Sequence, residues 1–277
     1  MTAMATARAA AFFDLDKTLM EGASGLHFAR AAYRAGLVSR RRLARDVWAN
    51  VRFRLEGSTD EKADAVRERV LGAMTGVSRI RLSRLGPEVL AGILPAVYPE
   101  MLRVAWQHQD AGRPAYIVTA ASQELAAMLA RVLVLDGGVG TPYEVEDGHY
   151  TGRLAGPFTY REGKAEALRL LAKEEALDLS ASYAYSDSES DLPMLRTVGH
   201  PVAVNPDTEL ERLARAEGWE ILRFDRLRRR IRIAYGAAAV ALVGGGGGYL
   251  AGRLKASNRR LRPGRLTGRA ARVPLLG

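Results

Sequence analysis

The chain contains no cysteine and only four histidines in 277 residues. The lack of cysteine excludes disulfide bonds, a thiolate nucleophile and zinc sites built on cysteine. The histidines are far apart along the chain and form no HxxxH-type pair, which disfavours a histidine-rich metal site. The sequence therefore points away from thiol chemistry and from zinc-type sites.

Acidic residues are absent from one end of the chain. Residues 226–277 contain thirteen Arg and Lys but no Asp or Glu. The formal net charge of the whole chain is +10, so subtracting 13 leaves −3 for residues 1–225. A strongly basic protein suggests nucleic-acid binding, but here the basic character belongs to a tail. Nucleic acid is therefore disfavoured as a partner of residues 1–225.

The basic tail has one long uncharged segment, residues 233–252, with arginines on both sides. Twenty residues are enough to span a bilayer, but the segment is rich in Ala and Gly, which weakens a helix. The open alternatives for residues 226–277 are a weak membrane anchor, a peripheral contact with anionic lipid, a flexible tail touching nucleic acid, and disorder. We favour contact with a membrane surface.

Residues 8–225 show a pattern of buried strands that alternate with helices. An apolar strand over 8–13 leads directly into Asp14, and PAYIVT (114–119) and 181–186 are further buried strands. Helices are predicted over 99–111, 123–135, 162–176 and 207–217, strands over 201–204 and 219–224, and a hairpin around Asp147-Gly148. The pattern predicts a parallel sheet with helices on both faces. Residues 21–95 look helical throughout, which predicts an all-helical insertion after the first strand.

Polar groups follow the ends of these strands and the start of one helix. Asp14 and Asp16 follow the first strand, Thr119 ends the second, and Lys164 opens a helix. Asp187 and Asp191 follow the strand 181–186. In open α/β sheets, ligands bind beyond the carboxyl ends of the strands. We therefore expect these side chains to converge on one site.

These residue types suit phosphoryl transfer. A phosphate monoester is an anion, so an anionic nucleophile needs help from a divalent cation, and Mg²⁺ prefers oxygen ligands. Asp14 can attack phosphorus, while Asp16 can protonate the leaving oxygen and later activate water. Lys164 supplies positive charge and Thr119 a hydroxyl for the phosphoryl oxygens. Each residue alone has an ordinary structural explanation; the four fragments together do not.

At this point a resemblance appears. FDLDKTL (13–19) is similar to the DxDxT motif of the haloacid dehalogenase superfamily, and Val118-Thr119, Gly163-Lys164 and DSESD (187–191) resemble its other three motifs. Their order and spacing resemble the phosphoserine phosphatase-like subfamily. The resemblance covers about residues 10–225. It implies a Rossmann-like core over 8–20 and 96–225, a helical cap over 21–95, and leaves the tail, 226–277, unexplained.

The resemblance also implies roles. Asp14 would be the nucleophile and Asp16 the acid and base. Mg²⁺ would be held by Asp14, the Asp16 backbone carbonyl and Asp187, and phosphate by Thr119 and Lys164. Asp191 would orient the metal waters or Lys164.

Substrate recognition departs from the phosphoserine phosphatase pattern. Ala23 stands where those enzymes have a Glu that recognises the substrate amine, and Glu21 is the nearest acid. Arg69 of the insertion is a candidate for binding a substrate carboxylate. The fourth motif has Ser-Glu-Ser where glycine and asparagine are usual. These differences weaken the case for phosphoserine but not for phosphatase chemistry.

The sequence therefore predicts a Mg²⁺-dependent phosphatase that acts on a small phosphorylated metabolite. Two alternatives stay open: a phosphatase of a lipid-like phosphate, and a catalytically silent binding module with this fold. The first residues lead into a strand and do not resemble a secretory signal. We accordingly expect a cytoplasmic protein, associated with the inner face of the membrane through residues 226–277.

Overall fold

The computed structural model describes residues 7–36 and 60–224. Within these ranges the strands are β1 (Ala11–Asp14), β2 (Ala115–Ser122), β3 (Gly137–Thr141), β4 (Tyr143–Glu146), β5 (His149–Leu154), β6 (Tyr183–Ser186), β7 (His200–Val204) and β8 (Glu220–Leu222). The α-helices are α1 (Ser24–Arg34), α2 (Asp60–Met74), α3 (Arg79–Ser83), α4 (Gly86–Ile93), α5 (Pro99–Asp110), α6 (Gln123–Val132), α7 (Glu162–Glu174), α8 (Leu192–Leu195) and α9 (Thr208–Glu217).

Six strands form one parallel sheet in the spatial order β3-β2-β1-β6-β7-β8. From β1 the chain builds β2 and β3 on one side and then β6, β7 and β8 on the other. The carboxyl end of β1 therefore lies where the direction of strand addition reverses, which is the usual ligand crevice of an open α/β sheet. The predicted parallel α/β core is confirmed.

Two strand predictions are corrected by the structure. β3 was not predicted, because its sequence GGVGT has little of the β-branched and aromatic character that marks strands. Its glycines suit a close approach, since a Cβ on Gly138 would meet the backbone of Ala126 in α6. The prediction that Thr119 ends the second strand is wrong: β2 continues to Ser122 through an irregularity in its pairing with β3.

The centre of the sheet is apolar on both faces. Phe12 stacks on Tyr116 with ring centroids 5.8 Å apart, while Phe13, on the opposite face, stacks on Tyr185 at 4.5 Å. All four residues of β1 are buried. Burial on both sides explains why this strand has a continuous apolar sequence up to Asp14.

A buried histidine lies behind Phe13. His108 of α5 accepts a hydrogen bond at Nδ1 from Arg113 Nε (2.8 Å), so its proton sits on Nε2, which donates to the Tyr185 hydroxyl (2.8 Å). Burial lowers the pKa of His108 from 6.5 to about 4, and the charge of Arg113 adds to the shift.

This pKa predicts a pH-dependent stability. As the pH falls from 6.5 towards 4, unfolded His108 takes up a proton and folded His108 does not, so the free energy of unfolding decreases over that interval. Denaturant titrations across these pH values should show a shallower decline in His108→Gln. His149→Gln, which changes an exposed histidine, is the control. An equal pH slope in wild type and His108→Gln would contradict the assignment.

The described part of the predicted insertion, 21–95, contains helices α1 to α4, which we call the cap. It is joined to the β4–β5 hairpin by main-chain hydrogen bonds. Gly76 N–H donates to Tyr150 O (2.8 Å), Tyr150 N–H to Val77 O (3.0 Å) and Arg79 N–H to Gly148 O (2.9 Å). The hairpin was predicted from Asp147-Gly148, and its contact with the cap was not. The limits proposed for a separate cap domain, 21–95, stay a prediction.

The tail predictions fall on residues outside the described ranges. Residues 226–277, with the uncharged segment 233–252, belong to this part of the chain, so their contact with a membrane surface stays a prediction. Within residues 7–36 and 60–224, no helix has both the length and the apolar character needed to cross a bilayer.

Candidate active site

The carboxyl ends of β1 and β6 bring the predicted site residues together. Asp14 is the last residue of β1, and Asp187 directly follows β6, its neighbour in the sheet. Lys164 reaches them from the first turn of α7. The residue before it, Gly163, lets the start of α7 pack closely against the Phe158 carbonyl oxygen, with which a Cβ at position 163 would collide. The convergence expected from the strand order is therefore observed.

Lys164 is the centre of a buried ionic network. Its Nζ donates to Asp14 Oδ1 (2.5 Å) and to Asp191 Oδ2 (2.7 Å). Asp191 Oδ2 also accepts a hydrogen bond from Ser186 Oγ (2.7 Å). All four side chains are buried. Asp191 therefore contacts Lys164 directly, and its role in orienting Lys164 or the metal waters stays a prediction.

The site holds more negative charge than its lysines balance. Burial raises the pKa of Asp14 well above its usual value; Lys164 opposes the shift, and Asp191, Asp187 and Asp16 add to it. Burial likewise raises the pKa of Asp187 to about 6, with Asp191 adding to the effect. For Lys164, burial lowers the pKa, but Asp14 and Asp191 outweigh burial and raise it. Lys164 is therefore a fixed positive charge among carboxylates.

Asp16 lies beside Asp14 in a tight loop. Its Oδ1 accepts a hydrogen bond from the backbone N–H of Ser24 (2.8 Å), at the start of α1. The next residue, Lys17, has a φ of 63°, which is uncommon for a residue with a side chain. Lys17 Nζ lies 3.3 Å from Asp187 Oδ2. The loop thus links the first motif to the cap through Asp16 and to the fourth motif through Lys17.

Thr119 lies in β2, the strand that pairs with β1, one residue after the partner of Asp14. It is buried, and its Oγ1 accepts a hydrogen bond from Ala121 N–H (3.2 Å). The hydroxyl hydrogen can therefore be directed at another acceptor. Six predicted residues line one pocket of about 830 Å³: Asp14, Asp16, Thr119, Lys164, Asp187 and Asp191.

Arg69 differs from the other predicted residues. It is exposed on α2 and is not among the residues that line the pocket, although its neighbour Val70 is. Ala23, where a recognition Glu was sought, does line the pocket. A contact between Arg69 and substrate stays a prediction.

The comparison with protein families now decides the classification. A family model described as haloacid dehalogenase-like hydrolase matches residues 11–196. The chain belongs to this family. The matched region includes all the predicted site residues and the described cap.

Individual relatives of this haloacid dehalogenase-like hydrolase support a narrower class. Phosphoserine phosphatase SerB1 of Mycobacterium tuberculosis (strain H37Rv) is 40% identical over 245 residues, 88% of this chain and 79% of that protein. Histidinol-phosphatase of Neisseria meningitidis serogroup C is 32% identical over 219 residues, 77% of this chain and 98% of that protein. A crystal structure from Bordetella pertussis Tohama I, of a protein of unknown function, is 31% identical with a TM-score of 0.69, covering 78% and 99%. The chain is a phosphomonoesterase, similar to phosphoserine phosphatases.

Two residues of the hydrolase site were not predicted individually. Lys17 stands inside the quoted FDLDKTL segment, but its reach to Asp187, 170 positions along the chain, depends on the pairing of β1 with β6. Ser186 ends β6, and only the structure shows that its hydroxyl supports Asp191. A polar residue at a buried strand end, next to an acidic motif, was the available signal for Ser186.

Proposed function

We propose that this hydrolase cleaves small phosphomonoesters through a phosphoryl group carried on Asp14, with Mg²⁺ as cofactor. The observation that supports it most is the buried network of Asp14, Lys164 and Asp191 on the floor of the pocket. A buried carboxylate beside a fixed lysine charge is suited to attack an anionic group. Ordinary ion pairs that only decorate a protein surface are exposed to water, whereas Asp14, Lys164 and Asp191 are all buried.

The proposed reaction has two halves. Asp14 forms a bond to phosphorus as the ester oxygen leaves, and Asp16 gives its proton to that oxygen. Asp16 then takes a proton from water, whose oxygen attacks phosphorus, so that inorganic phosphate leaves and the Asp14 carboxylate is restored. Lys164 and the Thr119 hydroxyl stabilise the charge on the phosphoryl oxygens in both halves.

The donor groups suit Mg²⁺. Within the described ranges, no three or more His, Asp and Glu side chains are grouped closely enough to hold a metal by themselves. Asp14, Asp187 and the Asp16 backbone carbonyl would hold the ion, with water and substrate oxygens completing its coordination. Burial raises the pKa of Asp14 and of Asp187, so positive charge placed between them would favour their ionised forms. When bound, Mg²⁺ neutralises charge between nucleophile and phosphate.

A metal-dependence experiment tests the proposal. We expect the purified full chain to hydrolyse phenyl phosphate, to lose turnover with a chelator and to regain it when Mg²⁺ is added in excess. Mg²⁺ should also raise the unfolding temperature, because a ligand of the folded state stabilises it by about 2.7 kcal/mol at a concentration 100 times Kd. Asp187→Asn should reduce both responses.

The opposing outcomes are distinct. Full turnover in the presence of chelator would contradict the metal proposal. No turnover with Mg²⁺ present would favour the catalytically silent binding module. The second alternative, a lipid-like phosphate as substrate, concerns the cap side of the pocket.

A further inference from the structure

Most of the described cap residues that line the pocket have apolar side chains. The described residues of α1, α2 and α3 that line it are Ser24, Gly25, Phe28, Val70, Met74 and Leu82. We call the last four, which have apolar side chains, the apolar wall. Leu125 and Tyr143 extend this surface on the core side. The wall faces the same cavity as Asp14 and Lys164. The organic group of a phosphate ester bound at the floor would therefore contact these apolar side chains.

Charged residues are confined to the floor and one rim of the described pocket. On the rim, Asp207 Oδ1 accepts a hydrogen bond from Leu210 N–H (2.8 Å) and its Oδ2 accepts one from Glu189 N–H (3.1 Å). Glu209 is paired with Arg212, Oε2 to Nη2, at 3.1 Å. These two carboxylates already have local partners, and Glu189 is the third acid on this rim.

An amino-acid phosphate would meet a poor environment at the wall. Its ammonium and carboxylate groups would lose water and gain no opposite charge from the wall residues, which is costly. An alkyl or aryl group there gains free energy in proportion to the apolar area removed from water. The volume, about 830 Å³, lies within the roughly 300–1,000 Å³ typical of small-molecule sites.

We propose that the apolar wall is a substrate subsite, and that the preferred substrate is the phosphate monoester of an uncharged alkyl or aryl alcohol. The inference rests on the proposed function for the phosphate end of the site. It adds the chemical class of the leaving group. Single-chain lipid-like phosphates and compact aryl or alkyl phosphates share this chemistry.

A chain-length series measures the subsite. With Mg²⁺ present, kcat/KM for ethyl, butyl, hexyl, octyl and dodecyl phosphate should rise up to about fourfold per methylene, equivalent to about 0.8 kcal/mol, until the pocket is filled. Phosphoserine should be at least about tenfold poorer than butyl phosphate, because its charged groups would lose water against the four apolar side chains of the wall. A rise that continues to dodecyl indicates a lipid-like substrate, whereas a plateau near hexyl with good turnover of phenyl phosphate indicates a compact one.

Binding measurements separate this inference from the proposed function. The Kd values of the matching alkyl phosphonates, which cannot be hydrolysed at the phosphorus–carbon bond, should follow the same chain-length trend. If no ester is turned over but phosphonate affinity rises with length, the catalytic proposal fails and the apolar subsite stands. A flat series, or a strong preference for phosphoserine, overturns the subsite.

Variants of the wall supply the matched comparison. Val70→Thr keeps the side-chain shape and adds a hydroxyl, and Val70→Thr/Met74→Gln makes the wall more polar. Both should flatten the chain-length series, because they lower kcat/KM for the longer esters relative to that for ethyl phosphate. The control Ile80→Thr changes an exposed β-branched residue of α3, and should retain the wild-type slope. Thermal unfolding establishes that each variant is folded; if the double variant is not, Val70→Thr alone decides.

Discussion

Asp14→Asn is expected to lower kcat by about 10⁴-fold or more, because removal of a nucleophile leaves only binding and charge stabilisation to accelerate the reaction. Asn retains an oxygen that can accept the hydrogen bond from Lys164 Nζ, now made to Asp14 Oδ1 at 2.5 Å. The substitution therefore removes the charge and nucleophilicity with little change in shape. Steady-state hydrolysis of phenyl phosphate is the measurement.

A second readout makes this result specific to the nucleophile. Acid quenching of wild type during turnover of a radiolabelled phosphate ester should trap a protein-bound phosphoryl group that Asp14→Asn lacks. Asp110→Asn, an exposed acid at the end of α5, is the control and should leave both activity and trapping unchanged. If Asp14→Asn turned over substrate at the wild-type rate and still trapped the radiolabelled phosphoryl group, the role of Asp14 would be refuted.

Lys164→Met should be severe for stability as well as for activity. Removing one partner of a buried ion pair typically costs about 3–5 kcal/mol, because the remaining charge has lost its counter-ion. Here two carboxylates, Asp14 and Asp191, would both lose the same ammonium group. The free energy of unfolding from denaturant titration measures the cost. Turnover should fall too, because the phosphoryl oxygens lose a fixed charge.

The same helix provides a control for this prediction. Lys173→Met changes an exposed lysine of α7 and should alter stability by no more than about 0.5 kcal/mol. The deficit of Lys164→Met should shrink as the pH falls. Burial raises the pKa of Asp14 and Lys164 opposes that rise, so in the variant folded Asp14 takes up a proton at a higher pH than it does in folded wild type. Equal stability of the two variants would contradict the network.

The sequence predicts the sheet well where each strand has its own signal. β1, β2 and β6 are apolar segments followed by polar site residues, and the parallel arrangement brings those ends together. β3 lacks such a signal, because close packing rather than strand propensity accounts for its glycines: a Cβ on Gly138, for example, would meet the backbone of Ala126 in α6. The extent of β2 depends on its pairing with β3, which continues to Ser122. Because β3 has no strand signal in the sequence, the end of β2 is predicted too early, at Thr119.

The site shows the same division between local and tertiary information. Motif spacing predicts that Asp14, Asp16, Thr119, Lys164, Asp187 and Asp191 share a pocket, and the structure brings these residues to one cavity. Motif spacing does not predict that Lys17 approaches Asp187, because that contact depends on the pairing of β1 with β6. It also does not predict that the Ser186 hydroxyl donates to Asp191, because that contact depends on the path of the chain after β6. The apolar wall is less predictable still, because helices distant in sequence contribute to it.

The main-chain hydrogen bonds between the cap and the β4–β5 hairpin have a consequence for divergence. Bonds among residues 76–79 and 148–150 use backbone groups, so they persist through most side-chain substitutions there. The cavity is lined by Val70, Met74 and Leu82, which lie on either side of this junction in sequence. None of these three residues takes part in the hydrogen bonds quoted between the cap and the hairpin. Descendants of this chain could therefore exchange the cavity-facing side chains, and acquire different leaving groups, without rebuilding the attachment that keeps the cap over the nucleophile.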